Sequence, residues 1–254
     1  MASISALAFQ QRLPSFIAVS SGPLLDAVPP LSHDEQASIG PMAQGRLSEF
    51  AQGRQHARQA LEQFGVKGAS IPMSADRSPV WPQGFAGSIS HVPANVQRGQ
   101  QGWVIAAVAR SKHCAGLGID LERTDMLMPE HWPLYMTGQE LTWIARQPVS
   151  NRSDLAHGLW SAKEAVMKAL CRPLEPHDIG IRLLPDLLSF EAKCRVPKTS
   201  TTGDTMRVNG WLAFEHGWVL ALATRQAPSG TPRVAPFKDL DSAANLPSLM
   251  QAIA

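Results

Sequence analysis

The chain has 254 residues, of which 44% are hydrophobic and 17% charged, and its formal net charge is +2 at pH 7. This length suits one large domain or two small ones, and the near-neutral charge argues against a general nucleic-acid binder. No apolar run approaches the ~20 residues that span a bilayer. The chain has three cysteines, Cys114, Cys171 and Cys194, whose odd number and spacing indicate neither a disulfide framework nor a zinc site. Their pattern favours a location in the reducing cytoplasm.

The first 46 residues predict an irregular extension. The N-terminus lacks the basic start of a secretory signal, and residues 22–46 are rich in Pro, Ser and Gly. An amphipathic helix pattern follows, with Gly53, Arg54, Arg58 and Leu61 in it.

The composition of residues 79–84 predicts a loop of defined conformation, because Pro and Gly are unfavourable inside helices and strands. The loop leads into a short strand at residues 88–90, which presents His91 at its end. Taken alone, Ser90 and His91 could equally be an ordinary polar pair at a strand end.

An internal repeat indicates duplication. Residues 102–109 and 217–224 are near copies and read as buried strands, each a short apolar run that opens at a glycine. A fainter echo pairs residues 59–61 with 168–170, each inside a helix pattern. Such repeats favour two similar halves, a first to residue 113 and a second over 114–225, followed by a tail over 226–254.

The second half opens with a strand at residues 118–122. Asp120 and Glu122 are two apart, so both face one side of the strand, whereas Leu121 points to the core. The alternative is that both acids are solvated residues at a strand end. Further along, Thr137 followed by Glu140 predicts a capped helix start.

The stretch before that helix contains apolar residues that could form an adaptable contact surface or simply pack internally. They are Met126, Leu127, Met128, Trp132, Tyr135 and Met136.

A helix over residues 160–168 carries Glu164 and Lys168 one above the other on one face. Three convergent carboxylates suit Mg²⁺, and lysines beside a metal suit phosphate, so the pattern predicts metal-assisted chemistry on a phosphorylated substrate. Two simpler interpretations stay open: Ser161 and Glu164 as a capping box, and Glu164 with Lys168 as an i,i+4 pair. Residues 199–204 predict a hairpin turn, and residues 246–253 a short terminal helix.

In order and spacing, these segments resemble the 4′-phosphopantetheinyl transferase superfamily, in particular its Sfp-type branch and the enterobactin synthase component D group. The matching residues run from about 45 to 225 and comprise Trp81-Pro82 through His91, residues 118–122, and Trp160-Ser161-Ala162-Lys163-Glu164 with Lys168. The resemblance implies an α+β fold of two similar subdomains related by a pseudo-two-fold, with a ligand cleft between them.

The resemblance also implies the reaction. Coenzyme A is the substrate, with its pyrophosphate on a divalent cation, Mg²⁺ or alternatively Mn²⁺, held by Asp120, Glu122 and Glu164. The phosphopantetheine arm passes to a serine of an apo acyl or peptidyl carrier protein, and adenosine 3′,5′-bisphosphate leaves. Glu164 is the candidate base and Lys168 stabilises the phosphate charge.

The remaining implied contacts are all to coenzyme A. Lys163 would hold the pyrophosphate, the arginines would bind the 3′-phosphate, and Ser90 with His91 would hydrogen-bond the nucleotide or phosphate portion. The three arginines are Arg54, Arg58 and Arg77.

Two rival interpretations come from other classes. A Mg²⁺-dependent phosphodiesterase or nuclease would use the same groups for hydrolysis, although a nuclease should be more basic than +2. A binding module with a decayed site should have lost one of the four key side chains. The expected partners are therefore coenzyme A and a carrier protein, without nucleic acid or membrane, and the internal repeat favours a monomer.

Overall fold

The computed structural model describes residues 13–172, 174–186, 188–195 and 205–226. The strands in this part of the chain are β1 Ile17–Pro23, β2 Phe85–Val92, β3 Trp103–Arg110, β4 Gly116–Arg123, β5 Ile179–Leu183, β6 Ser189–Arg195, β7 Thr205–Glu215 and β8 Trp218–Arg225. The α-helices are α1 His33–Ala37, α2 Gln44–Glu62, α3 Trp132–Tyr135, α4 Gly138–Ala145 and α5 Val149–Leu170. Short 3-10 helices lie at Val96–Arg98, Pro129–His131 and Pro176–Asp178.

The strands form two antiparallel sheets, which confirms the predicted α+β class. One sheet has the order β1-β3-β2 and the other β4-β8-β7-β6-β5. The two strands of the sequence repeat, β3 and β8, are each eight residues long and each lie between two neighbours. The fainter echo falls at the C-terminal ends of α2 and α5. The chain passes from the first sheet to the second between Arg110 and Gly116.

The two sheets pack face to face, with α2 covering one outer face and α5 the other. Strand β3 shows the alternation that builds these layers, because successive side chains point to opposite faces. Ala106 and Val108 pack with α2, whereas Ile105 and Ala107 pack between the sheets. In β8 the same alternation sends Leu220 and Leu222 between the sheets and Val219, Ala221 and Ala223 towards α5.

Helix α5 approaches β4 at backbone distance. A Cβ added at Gly118 would lie 1.8 Å from the carbonyl oxygen of Ala165, and one at Gly116 would lie 2.0 Å from that of Ala169. Only glycine leaves room for this packing, because any larger side chain would overlap the helix backbone. The close approach sets Glu164 and Lys168 of α5 beside Asp120 of β4.

Two predicted boundaries differ from the structure. Residues 17–23 and 33–37, placed in an irregular extension, form β1 and α1. Strand β1 forms because Ile17, Val19 and Ala18 supply apolar side chains to both faces of the first sheet, and α1 begins at a capping box of Ser32 with Glu35. Strand β2 extends beyond residues 88–90, since its pairing with β3 continues from Phe85 to Val92, and His91 therefore lies inside the strand. The predicted turn at 199–204 and helix at 246–253 fall outside the described residues.

The predicted start of α4 is confirmed. The Thr137 hydroxyl accepts a hydrogen bond from the Glu140 backbone N–H, and the Glu140 carboxylate accepts one from Thr137 N. Within the described ranges, no helix is both long enough and apolar enough to cross a membrane.

Candidate active site

Asp120 lies at the centre of a buried polar cluster between β2, β4 and α5. Its Oδ1 is 2.6 Å from Lys168 Nζ and accepts a hydrogen bond from Ser90 Oγ at 3.2 Å, while its Oδ2 accepts one from Ser161 Oγ at 3.0 Å. The side chain is only 3% exposed. The cluster therefore brings together residues from the three sequence motifs, as predicted from the sequence.

Lys168 uses its three donors across the junction of the two sheets. Its Nζ contacts Asp120 Oδ1, Ser90 Oγ at 3.3 Å and the carbonyl oxygen of Ile119 at 3.2 Å. An ordinary i,i+4 pair on a helix surface would instead direct Lys168 to Glu164. The capping-box alternative is wrong as well, because Ser161 lies well inside α5 rather than at its start.

Glu122 and Glu164 lie within electrostatic reach of Asp120, and both are half-buried. Burial, reinforced by the charges of Asp120 and Glu164, raises the pKa of Glu122 to about 7, although Lys168 and a hydrogen bond from Trp160 act in the opposite direction. Burial and Asp120 likewise raise the pKa of Glu164. Three acidic groups thus share one lysine, which leaves an excess of negative charge that a cation would relieve.

The chemistry of this donor set fits a hard divalent cation. Mg²⁺ prefers oxygen ligands and usually takes only a few carboxylates from the protein. Among the described residues, however, no three acidic, imidazole or thiol groups are close enough together to hold an ion as they stand. Asp120, Glu122 and Glu164 would therefore have to shift towards one another, with Lys168 releasing Asp120 Oδ1.

Ser90 and His91 face opposite sides of β2, because neighbouring residues on a strand alternate. Ser90 faces Asp120, whereas His91 lies against α2, where its Nε2 is 2.9 Å from Arg46 Nη1 and 3.0 Å from Glu49 Oε2. Burial lowers the pKa of His91, and the charges of Arg46 and Lys168 act in the same direction. His91 thus contacts residues of the first half of the chain, whereas Ser90 contacts residues of the second half.

Sequence reasoning missed Arg46 and Glu49. Arg46 Nη1 and the same Glu49 oxygen that contacts His91 are 2.9 Å apart, so the three side chains form one cluster at the edge of α2. Their signal was the helical spacing Arg46, Glu49 and Gly53, at i, i+3 and i+7, which places them on one face. Gly53 packs on Ile89 of β2, so this face of α2 lies against the strand that carries His91.

The arginines of α2 divide into two kinds. Arg54 is buried over the ring of Phe50, with its Nε donating to the carbonyl oxygen of Ile71 at 2.9 Å. Burial lowers its pKa to about 10. Arg58 Nη1 instead contacts both carboxylate oxygens of the fully buried Glu35, at 2.7 and 2.9 Å. Arg58 therefore has a structural partner, which favours a structural role over the expected contact with coenzyme A.

Arg77 occupies an exposed turn at a left-handed φ of 69°. The turn is held by hydrogen bonds among Ser74, Asp76 and Ser78, without the Arg77 side chain. Its guanidinium is thus available to an external anion, but the structure does not bring it into the carboxylate cluster.

Lys163 does not belong to the cluster. Its side chain is fully buried, and its Nζ contacts Glu140 Oε2 at 2.8 Å and the carbonyl oxygens of Tyr135 and Pro176 at 2.9 and 2.8 Å. An ammonium has three donors, and all three are used. These contacts favour a structural role for Lys163 over the expected contact with a pyrophosphate.

The segment between β4 and α4 exposes part of its apolar side chains. Met126, Met128 and Leu134 are 56%, 50% and 59% exposed, whereas Met136 is buried in the core. The segment is tied to α5 by His157, whose Nε2 is 2.8 Å from the backbone N of Leu127. Some residues of this stretch are thus exposed and others belong to the core, and the contact surface stays a prediction.

Comparisons with known proteins match both halves of the chain. Residues 34–96 match the 4′-phosphopantetheinyl transferase N-terminal domain, and residues 116–223 match the 4′-phosphopantetheinyl transferase superfamily. The 4′-phosphopantetheinyl transferase Svp of Streptomyces mobaraensis is 33% identical over 218 residues, 81% of this chain and 83% of that protein.

Other relatives cover shorter stretches. Enterobactin synthase component D of Salmonella typhi is 31% identical over 54% of this chain and 52% of its own length. The 4′-phosphopantetheinyl transferase PptT of Mycobacterium tuberculosis is 37% identical over 32% of this chain and 33% of its own. Among solved structures, the holo-[acyl-carrier-protein] synthase of Thermotoga maritima covers 44% of this chain and 64% of its own at 14% identity, with a TM-score of 0.32 that is too low to support an argument.

Proposed function

The chain belongs to the 4′-phosphopantetheinyl transferase superfamily, whose members transfer phosphopantetheine to carrier proteins, and from this premise we propose how its own residues carry out the transfer. The donor is coenzyme A, the metal is Mg²⁺ and the acceptor is a serine hydroxyl of an apo acyl or peptidyl carrier protein. The observation that carries the proposal is the buried contact of Lys168 with Asp120, with Glu122 and Glu164 within electrostatic reach of both.

Asp120, Glu122 and Glu164 would hold the Mg²⁺, which when bound neutralises charge on the pyrophosphate oxygens. Glu164 accepts the proton of the attacking serine hydroxyl as the general base. The serine oxygen bonds to the phosphorus that bears the pantetheine arm, and the bond from that phosphorus to the bridging oxygen breaks. Adenosine 3′,5′-bisphosphate carries this oxygen away.

Lys168 stabilises the charge that develops on the leaving phosphate. Its ammonium is half-buried and already lies at the carboxylates, where low polarity strengthens its interaction with phosphate oxygens. Ser90 lies beside Lys168 and Asp120, since its hydroxyl contacts both side chains.

The nucleotide portion of coenzyme A is proposed to lie along α2. Arg54 is a buried guanidinium with one of its nitrogens bound to Ile71, which leaves the fork able to pair with a phosphate. His91 and Arg46 lie at the edge of the same helix, and Glu49 now neutralises them. Arg77 is proposed to contribute from its exposed turn.

The carrier protein is proposed to dock on the exposed apolar residues of the segment between β4 and α4. Met126 and Met128 directly follow the strand that carries Asp120 and Glu122, so a partner seated there lies close to the carboxylates. Methionine side chains adapt to different partners. A monomer in the cytoplasm remains our proposal, with the three cysteines present as free thiols.

Intact-protein mass spectrometry of an apo carrier protein tests the reaction. An apo acyl carrier and an apo peptidyl carrier are each incubated with the protein, coenzyme A and Mg²⁺, with an EDTA control. We expect the carrier to gain the mass of one phosphopantetheine arm only when the metal is present. Hydrolysis of coenzyme A without any gain on either carrier would favour a phosphodiesterase instead.

A further inference from the structure

Lys163 lies at a junction of five segments. Its Nζ is bound to Glu140 of α4, to the carbonyl oxygen of Tyr135 at the end of α3 and to that of Pro176 before β5. Glu140 in turn accepts hydrogen bonds from Ile181 N of β5 at 2.8 Å and from Thr137 N at 2.7 Å. The buried Lys163–Glu140 pair thus connects α5 to α4, to the end of α3 and to β5.

The junction is connected to the candidate active site through two aromatic rings. The ring of Tyr135, whose carbonyl oxygen Lys163 holds, packs on that of Trp160 with centroids 4.4 Å apart and planes at 52°. The Trp160 side chain lies near enough to the Glu122 carboxylate to lower its pKa. Lys163, Tyr135, Trp160 and Glu122 are thus neighbours, in that order, from the junction to the carboxylates.

Resting on the proposed function, we propose that Lys163 is a positioning residue. Through Tyr135 and Trp160 it fixes the orientation of the Glu122 carboxylate for the metal. All three donors of the Lys163 ammonium are bound to protein oxygens, so none is left for a phosphate. Lys163 therefore acts indirectly on the carboxylate cluster and does not contact coenzyme A. Groups that orient a metal ligand in this way typically affect metal affinity or activity by about 10–100-fold.

The energetics explain why a lysine is buried here. A lone buried ammonium is strongly unfavourable, and Glu140 offsets the cost only because the remaining donors and acceptors of the pair are also satisfied. A neutral side chain at 163 would leave the carbonyl oxygens of Tyr135 and Pro176 without donors. The segment that carries Tyr135 would then lose its attachment to α5.

The test compares the paired variant Lys163→Met/Glu140→Gln with the wild-type protein. The pair removes both buried charges, and the glutamine amide can still accept from Ile181 N and donate to a vacated carbonyl, while Thr137 N loses its acceptor. Val166→Ala, in the core face of the same helix, is the control for a loss of stability without a change at the junction.

With a carrier substrate, we expect the paired variant to need about 10-fold more Mg²⁺ for half-maximal activity and to lose about 10-fold in kcat. Its KM for coenzyme A should stay within about 2-fold of the wild-type value, since no contact with coenzyme A is removed. Val166→Ala should lower the melting temperature and leave the Mg²⁺ requirement unchanged. A raised KM for coenzyme A at unchanged Mg²⁺ requirement and kcat would overturn the proposal and return Lys163 to the pyrophosphate.

A second readout separates this inference from the proposed function. Mn²⁺ binding to the protein with coenzyme A, followed by electron paramagnetic resonance, requires no carrier. Weaker Mn²⁺ binding by the paired variant alone supports the positioning role even if no carrier is modified. Equal Mn²⁺ binding by the wild type, the paired variant and Val166→Ala would overturn it.

Discussion

The two halves of the molecule both bury charged side chains beside their main helix, but they balance them differently. In the first half the Glu35 carboxylate meets Arg58 and two backbone N–H groups, those of Ser32 and Ile71. In the second half the Asp120 carboxylate contacts Lys168, and Glu122 and Glu164 lie within electrostatic reach of both. The first cluster is neutral and fully hydrogen-bonded, whereas the second carries excess negative charge.

This difference separates a structural cluster from a functional one. A balanced buried pair holds segments together and gains nothing from an added ion. An unbalanced group of acids raises its own pKa values and is stabilised by any cation that enters. The Lys163–Glu140 pair belongs to the balanced kind, although it lies one residue from Glu164.

The largest expected effect comes from removing a carboxylate of the unbalanced cluster. Glu164→Gln should reduce transfer by about 10²–10⁴-fold, because the candidate base is lost, and Asp120→Ala should nearly abolish it. Neither change should unfold the protein, and Glu164→Gln also relieves like-charge repulsion. Steady-state transfer rates and melting curves measure both effects, with the exposed Glu175→Gln as control. Substantial activity in either folded variant would remove the metal assignment.

The balanced cluster should respond in the opposite way. Glu35→Gln leaves Arg58 without its charged partner and should lower the free energy of unfolding by about 3–5 kcal/mol. Below the denaturation midpoint its transfer rate should stay within about 2-fold of the wild type, since Glu35 does not touch the site. Urea unfolding provides the measurement, with the exposed neighbour Asp34→Asn as control. A loss of activity without a loss of stability would contradict the structural role.

Arg54 and Arg58, both on α2, sharpen the same comparison. Arg54→Met should weaken coenzyme A binding by about 10–100-fold, the usual loss for one charged hydrogen-bonding partner. Arg58→Met should lower stability and leave coenzyme A affinity within about 3-fold. Isothermal titration calorimetry with coenzyme A distinguishes them, and exposed Arg146→Met is the control. Equal losses of affinity in Arg54→Met and Arg58→Met would place both guanidinium groups at the ligand.

The smallest effect is a pH dependence of stability. Because the pKa of Glu122 is raised to about 7 in the folded protein, from 4.5, the folded state binds this proton more tightly than the unfolded chain. The resulting stabilisation is fully present below pH 4.5 and is lost as the pH rises through 7. In metal-free buffer, Glu122→Gln should flatten the fall in the urea midpoint between pH 5 and pH 8. The exposed Glu130→Gln should keep the wild-type slope.

Much of the site was predictable from the sequence, because its side chains sit on regular elements with fixed periods. Asp120 and Glu122 are two residues apart on a strand, so their side chains must lie on the same face of it. Glu164 and Lys168 are four apart on a helix and share a face for the same reason, and neither inference needs tertiary information. The α+β class and the repeated strands follow from short apolar runs of strand length.

The remaining features depended on partners distant in the sequence. Nothing near Lys163 or Arg58 reveals that Glu140 and Glu35 meet them, since 23 residues separate each of these pairs. Strand β1 was missed because its short apolar run follows an N-terminus without clear periodicity, and only its pairing with β3 makes it a strand.

Calorimetric titration of Mg²⁺ into the protein with coenzyme A tests the central claim most directly, that the unbalanced carboxylates are the metal site. We expect one ion per chain in the wild type, release of protons near pH 7 as Glu122 loses its proton, and a loss of binding in Glu164→Gln. Glu35→Gln should bind Mg²⁺ like the wild type. Undiminished binding in Glu164→Gln, Asp120→Ala and Glu122→Gln would contradict the account and place the metal elsewhere.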